Sequence, residues 1–216
     1  MRFVNEPVPA GATATQLWVM LPGAYMKPAD FAAAGFVDAV RSRGLPHDIA
    51  LLEADIAQVA DGSALRFLQD YLRTEGAASG LRVGLLGISL GAHLAMACLA
   101  RGAVDAAQAS AAGQVACALL LAPYLGPRDI VAEVAAATGP LATGDIDREI
   151  WQWLRTPRQS GCELHLGYGS EDRFAQAHAL MAQALPASHV DVQPGGHAWP
   201  VWTALWNRHL EQFYVR

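Results

Sequence analysis

The stretch Arg82-Val-Gly-Leu-Leu-Gly-Ile-Ser89-Leu-Gly-Ala-His-Leu-Ala95 divides into two apolar runs joined at a serine. The first run, 81–86, reads as a short strand buried on both faces. The second, 89–101, reads as a strongly apolar helix. Ser89 therefore stands on a sharp strand-to-helix turn, in Gly87-Ile88-Ser89-Leu90-Gly91, with its hydroxyl presented above the sheet edge. Gly87 and Gly91 remove side chains that would collide with neighbouring backbone, and the helix N-terminus favours negative charge developing beside the serine. As five letters the motif suits any tight join or an N-cap serine. The strand before it and the helix after it give it meaning.

Outward from this join, strands alternate with helices. Further strands are read at 17–21, 47–52, 115–121, 163–167 and 189–192. Helices are read at 30–43 (N-cap Asp30, stop at Gly44), 63–75 (Leu65, Leu68 and Leu72 at core spacing, closed by Gly76), 174–185 and 199–213. Such alternation predicts parallel βαβ units with right-handed crossovers. The expected fold is one α/β domain over 1–216, three-layered α/β/α, with a reduced, mostly parallel sheet of about six strands. Segment 123–161 is longer than a crossover needs and holds two helical patterns, 128–137 and 145–155. It reads as a small helical lid inserted at the carboxyl end of the sheet, where open α/β folds bind ligands. The alanine-rich stretches 103–112 and 131–137 reflect helix propensity.

The formal charge of −5, with no Lys/Arg cluster, speaks against a nucleic-acid partner. The first eleven residues lack a signal-peptide pattern, and no apolar run approaches the ~20 residues of a membrane span. Cys98, Cys117 and Cys162 sit singly in apolar stretches and read as buried small hydrophobes. A soluble, cytoplasmic protein is expected. His47, His165, His178, His189 and His209 show no paired-ligand spacing, so no metal site is expected. Gly84, Gly87 and Gly91 do not make a dinucleotide fingerprint, and a P-loop is absent. No cofactor is expected.

From Leu17 to the C-terminal helix the chain resembles the α/β-hydrolase superfamily. In that family an acid follows a later strand and a histidine the last one, in the order Ser, Asp, His. This sequence supplies Gly169-Ser-Glu-Asp172 and then Gly195-Gly-His197. The resemblance implies Ser89 as nucleophile, His197 as its base and Asp172 as the residue orienting the imidazole. Adjacent Glu171 is the fallback acid. An oxyanion hole is expected from the main-chain amides of Leu90 and of Ala24, in Leu21-Pro-Gly-Ala-Tyr25, with Tyr25 second. The family usually has His-Gly where this chain has Pro22-Gly23. The stretch Gly195-Gly-His-Ala-Trp-Pro-Val-Trp202 also resembles the histidine segment of esterase D-like and enterochelin-esterase-like enzymes, where the position of Ala198 is often acidic.

Each reading has a plainer rival. Asp172 would serve equally as a cap for the following helix. His93, one turn after Ser89, suits a structural hydrogen bond better than the site. Trp199, Trp202 and Trp206 fall at helical spacing and read as core. Trp151 and Trp153, in the insertion, either line an acyl pocket together with Tyr25 or pack the lid. The expected activity is hydrolysis of a small, uncharged or weakly charged carboxylic ester or thioester through an acyl-enzyme. The partner is then a small-molecule acyl substrate, with neither nucleic acid nor membrane involved. A ligand-binding or receptor protein, an acyltransferase, a C–C hydrolase and a peptidase are the alternatives. The sheet's open edge either pairs in a homo-oligomer or is blunted by Pro7-Val-Pro9.

Overall fold

Branched, apolar runs buried on both faces become the centre of a single sheet. The computed structural model describes residues 1–104, 115–142, 144–156 and 161–215, so part of the alanine-rich stretch 103–112 and some of segment 123–161 lie outside the described residues. Seven strands take the order β1-β3-β2-β4-β5-β6-β7. They are β1 (Arg2–Glu6), β2 (Gln16–Leu21), β3 (His47–Glu53), β4 (Arg82–Ile88), β5 (Val115–Leu121), β6 (Glu163–Gly169) and β7 (Val190–Gln193). All neighbours pair in parallel except β1, which runs antiparallel to β3 from Arg2↔Glu53 to Glu6↔Ile49. Six strands match those read from the sequence. The seventh, β1, is a half-exposed edge whose polar residues gave no strand signal.

The helices are α1 (Pro28–Ala33), α2 (Phe36–Arg41), α3 (Ile56–Ala60), α4 (Ser63–Tyr71), α5 (Ala77–Ser79), α6 (Leu90–Val104), α7 (Arg128–Ala136), α8 (Ile146–Arg155), α9 (Ala175–Ala182) and α10 (Trp199–Tyr214). One helix was expected over 30–43; Gly35, at φ +81°, divides it into α1 and α2. Asp30 is correspondingly not the N-cap. It sits inside α1, opened by Pro28, and its carboxylate accepts the Lys27 amide at 2.7 Å.

Helix α2 packs with α10 and α4 packs with α6, the separation onto two faces that right-handed crossovers require when the strand order reverses. Trp18 on fully buried β2 meets Trp206 edge-on at 5.1 Å, and Phe36 stacks on Trp206. Trp206 donates its indole N–H to the Phe36 carbonyl at 3.0 Å, which removes the polar cost of burying so large a ring. Trp202 and Trp206 are both core residues, and Cys98, Cys117 and Cys162 are buried. No helix among the described residues is long and apolar enough to cross a membrane.

From β2 the chain steps outward to β3 and then crosses back to β4, so strand order reverses between β2 and β4. A crevice opens at the carboxyl ends of two such strands, and Ser89 follows one of them. Between β5 and β6, α8 packs on α6, and Arg148 ties α8 to Glu133 of α7.

Candidate active site

Ser89 is held in the left-handed region, at φ +53°. A non-glycine residue there costs about 1–3 kcal/mol and persists only where surrounding contacts fix it. The Ser89 amide donates to the Leu121 carbonyl at 2.8 Å, extending the β4–β5 ladder into the turn. Its carbonyl accepts from the amides of His93 (3.1 Å) and Tyr124 (3.0 Å). The flanking glycines are needed for space. A Cβ on Gly87 would lie 2.5 Å from Ala92 backbone, and one on Gly91 would lie 2.0 Å from the Leu21 carbonyl oxygen. Among the described residues the non-glycine positions with positive φ are Tyr25, Ser89 and Ala122, which follow β2, β4 and β5. Backbone strain is thus collected along one edge of the sheet.

At the same edge the structure joins Asp172 to His197. The imidazole Nδ1 and carboxylate Oδ2 are 2.7 Å apart, with the acid's side chain fully buried and the histidine's only 14% exposed. The other carboxylate oxygen accepts the Phe174 amide at 2.8 Å. Burial alone would raise the pKa of Asp172. The bonds from His197 and Phe174, with the positive potential of His197 and His178, outweigh it and hold the acid below its ordinary range. Glu171 is exposed and takes no part in this pairing. Backbone stitches the two loops together: Ser170 donates to Gln193 at 2.8 Å and Glu171 to Gly195 at 2.9 Å. A Cβ on Gly169 would strike the Gly195 carbonyl oxygen at 2.1 Å.

Aromatic rings connect the histidine to the serine turn. Phe174 and Trp202 meet the His197 ring edge-to-face at 5.5 and 5.0 Å, and Phe174 meets Tyr124, whose amide holds Ser89, at 6.2 Å. His178, which sequence reasoning passed over, shares a 2.9 Å hydrogen bond between its Nε2 and the Pro123 carbonyl, fixing α9 against this loop. The signal for it was only a histidine in an apolar helix. Among the described residues the Ser89 hydroxyl makes no hydrogen bond; catalytic hydrogen bonds commonly tighten only with substrate bound.

The loop after β2 abuts the turn. Its Gly23 amide donates to the Met26 sulfur at 3.2 Å, while the amides of Ala24 and Tyr25 donate to no acceptor among the described residues. Leu90 opens α6, so its N–H has no helical carbonyl to bond. Tyr25 is 91% exposed. Trp151 is buried and donates its indole N–H to the Leu125 carbonyl at 2.8 Å, a packing position; Trp153 is half-buried on the same helix. His93 is buried, 3.6 Å from Asp147, and burial lowers its pKa against the opposing pull of that acid. Among the described residues no group of three or more His, Cys, Asp or Glu side chains is placed to hold a metal ion.

Solved structures with the same architecture include the fluorophosphonate-binding serine hydrolase F of Staphylococcus aureus, at 12% identity and TM-score 0.64, covering 96% of this chain and 86% of that one. The S-formylglutathione hydrolase of the same organism matches at 12% identity and TM-score 0.62, covering 93% and 81%. An acetyl ester-xyloside bifunctional hydrolase from Caldicellulosiruptor lactoaceticus matches at 16% identity and TM-score 0.62, covering 99% and 88%. The chain has the α/β-hydrolase fold. No protein-family model matches the sequence, and no curated protein matches it.

Proposed function

We propose that this chain is a serine hydrolase that cleaves a small carboxylic ester or thioester through an acyl-enzyme on Ser89. The observation that carries the reading is the 2.7 Å pairing of buried Asp172 with His197, at the sheet edge where Ser89 occupies a strained strand-to-helix turn. The similarity to serine hydrolases of known structure supports the same chemistry. Because Nδ1 of His197 faces the acid, Nε2 is left free to accept a proton. As the Ser89 oxygen attacks the acyl carbon, His197 takes the hydroxyl proton and Asp172 stabilises the imidazolium. The resulting oxyanion would be received by the amides of Leu90 and Ala24. Collapse of the tetrahedral adduct expels the alcohol or thiol, which takes the proton from His197. Water then attacks the acyl-enzyme with His197 again as base, releasing the acid and restoring Ser89. Side chains, main-chain amides and water complete this cycle. Helices α7 and α8 would form a small lid over it.

Replacing Ser89 by Ala is expected to lower turnover of a short-chain p-nitrophenyl ester by about 10⁴-fold or more, with the far-ultraviolet circular dichroism unchanged. Retained turnover would overturn the assignment.

A further inference from the structure

Between α7 and α9 runs a groove of about 630 Å³ that begins at Tyr124 and Phe174. Tyr124 bonds the Ser89 carbonyl and Phe174 meets the His197 ring, so the groove adjoins the residues that hold the candidate nucleophile and base, though neither Ser89 nor His197 lines it. Leu125, Val131 and Leu180 give it apolar walls. Formal charge enters it with one sign alone: Arg128 and Arg173 line the groove, and no Asp or Glu does. In a chain of net charge −5 that arrangement runs against the overall balance. Among the described residues neither guanidinium is ion-paired. Asp129 follows Arg128 and Glu171 precedes Arg173, but both stay outside the lining. The Arg173 guanidinium lies 4.8 Å from the centre of the Phe174 ring, a contact that holds it at the mouth while leaving its N–H donors free. Another large groove, at the loop after β2, is different: there Arg2 and Lys27 are balanced by Glu53 and Asp55, and Arg2 is paired with Glu53.

A guanidinium offers a planar fork of donors that matches a carboxylate. A wholly neutral substrate would fill the apolar walls and leave both forks without a counter-charge. We infer, resting on the hydrolase reading of Ser89, that this groove binds a short apolar segment of the substrate ending in a carboxylate, which Arg128 and Arg173 receive. The substrate class is then a half-ester of a dicarboxylic acid or an ester of a carboxylate-bearing alcohol. It differs from the uncharged or weakly charged ester expected from the sequence, and the comparison below decides between the two.

The test compares kcat/KM for matched anionic and neutral esters on the whole enzyme. One pair is the p-nitrophenyl half-ester of glutaric acid against p-nitrophenyl butyrate, with the charge on the acyl side. The other is 4-acetoxybenzoate against phenyl acetate, with the charge on the leaving group. In at least one pair the anionic-to-neutral ratio is expected to exceed one, and to fall about tenfold or more in the R128Q/R173Q double variant. Added salt should lower the wild-type ratio in the same direction. The responding pair identifies the side that carries the charge. A purely structural role for the arginines would scale both members together and leave the ratio alone. An unchanged ratio in both pairs, with neutral esters still turned over, overturns the groove assignment and leaves the hydrolase reading standing. No turnover of any of the four esters, with Ser89 unreactive to a fluorophosphonate, removes both.

Discussion

Replacing Gly91 by Ala tests whether close backbone approach sets the geometry of the site. The new methyl would lie 2.0 Å from the Leu21 carbonyl oxygen, 2.5 Å from its carbon and 2.7 Å from the Pro22 carbonyl oxygen. Real Cβ contacts essentially never fall below 3.0 Å, so the start of α6 and the end of β2 must part by about 1 Å. All three clashing atoms are backbone, so no side-chain rotation relieves them. The movement separates Leu90 from the loop bearing Ala24, the two amides proposed to receive the oxyanion. A 1 Å displacement of catalytic groups costs about 10²-fold in rate. Overpacking a tight core contact costs about 1–3 kcal/mol, which in a chain of this size lowers Tm by roughly 2–12 °C. The assays are p-nitrophenyl ester kinetics and thermal unfolding, with Gly139→Ala as control because its Cβ meets nothing within 4 Å. A Gly91→Ala protein with wild-type rate and Tm would refute the reasoning.

Asp172→Asn keeps an oxygen for the Phe174 amide but turns an N–H₂ group toward His197, favouring the wrong tautomer; kcat should fall by about 10⁴ with Tm within a few degrees of wild type, and steady-state kinetics would read it. His47, His165 and His209 are buried and held at about 4, about 4 and about 3, by burial first in each case, with Arg41 adding at His47 and neighbouring histidines at the other two, while Glu163 opposes at His165. Their folded pKa values lie below the unfolded value near 6.5, so the unfolded chain protonates first. The resulting stability is full above pH 6.5 and is lost toward pH 4 for His47 and His165 and toward pH 3 for His209, at up to about 1.4 kcal/mol per pH unit per histidine. Urea midpoints should therefore drop between pH 7 and 5, and a flat profile would contradict the burial of these rings. Trp151→Phe removes the indole donor and strands the Leu125 carbonyl in a buried setting, an expected loss of about 1–2 kcal/mol visible in calorimetry as a Tm lower by roughly 2–8 °C.

What could be read from the sequence was what local chemistry decides. The run from Arg82 to Ala95 announces its own turn, because Gly87 is required by contacts with Ala92 and Gly91 inside the turn, whereas the need for Gly91 comes from Leu21 and Pro22 at the end of β2. Asp172 and His197 were found through order along the chain, and the structure places them in contact, with Glu171 outside. Strand β1 escaped because an edge strand half open to water keeps polar residues and carries no apolar pattern. The break at Gly35 escaped because the apolar spacing runs on across it, and only its positive φ divides α1 from α2. Contacts between distant elements left no local trace at all. The His178 bond to Pro123 and the pairing of His93 with Asp147 each depend on the tertiary fold. So does the meeting of Arg128 and Arg173 in one groove, since they belong to segments on opposite sides of β6.

The central claim is that Ser89 is a nucleophile activated by His197 and Asp172, and covalent labelling tests it most directly. Incubation with a fluorophosphonate followed by intact-mass and peptide mass spectrometry should find a single adduct, located on Ser89. That adduct should be absent from Ser89→Ala and form far more slowly in His197→Ala. A folded protein that takes up no adduct, or takes it up at another residue with Ser89 untouched, would contradict the account.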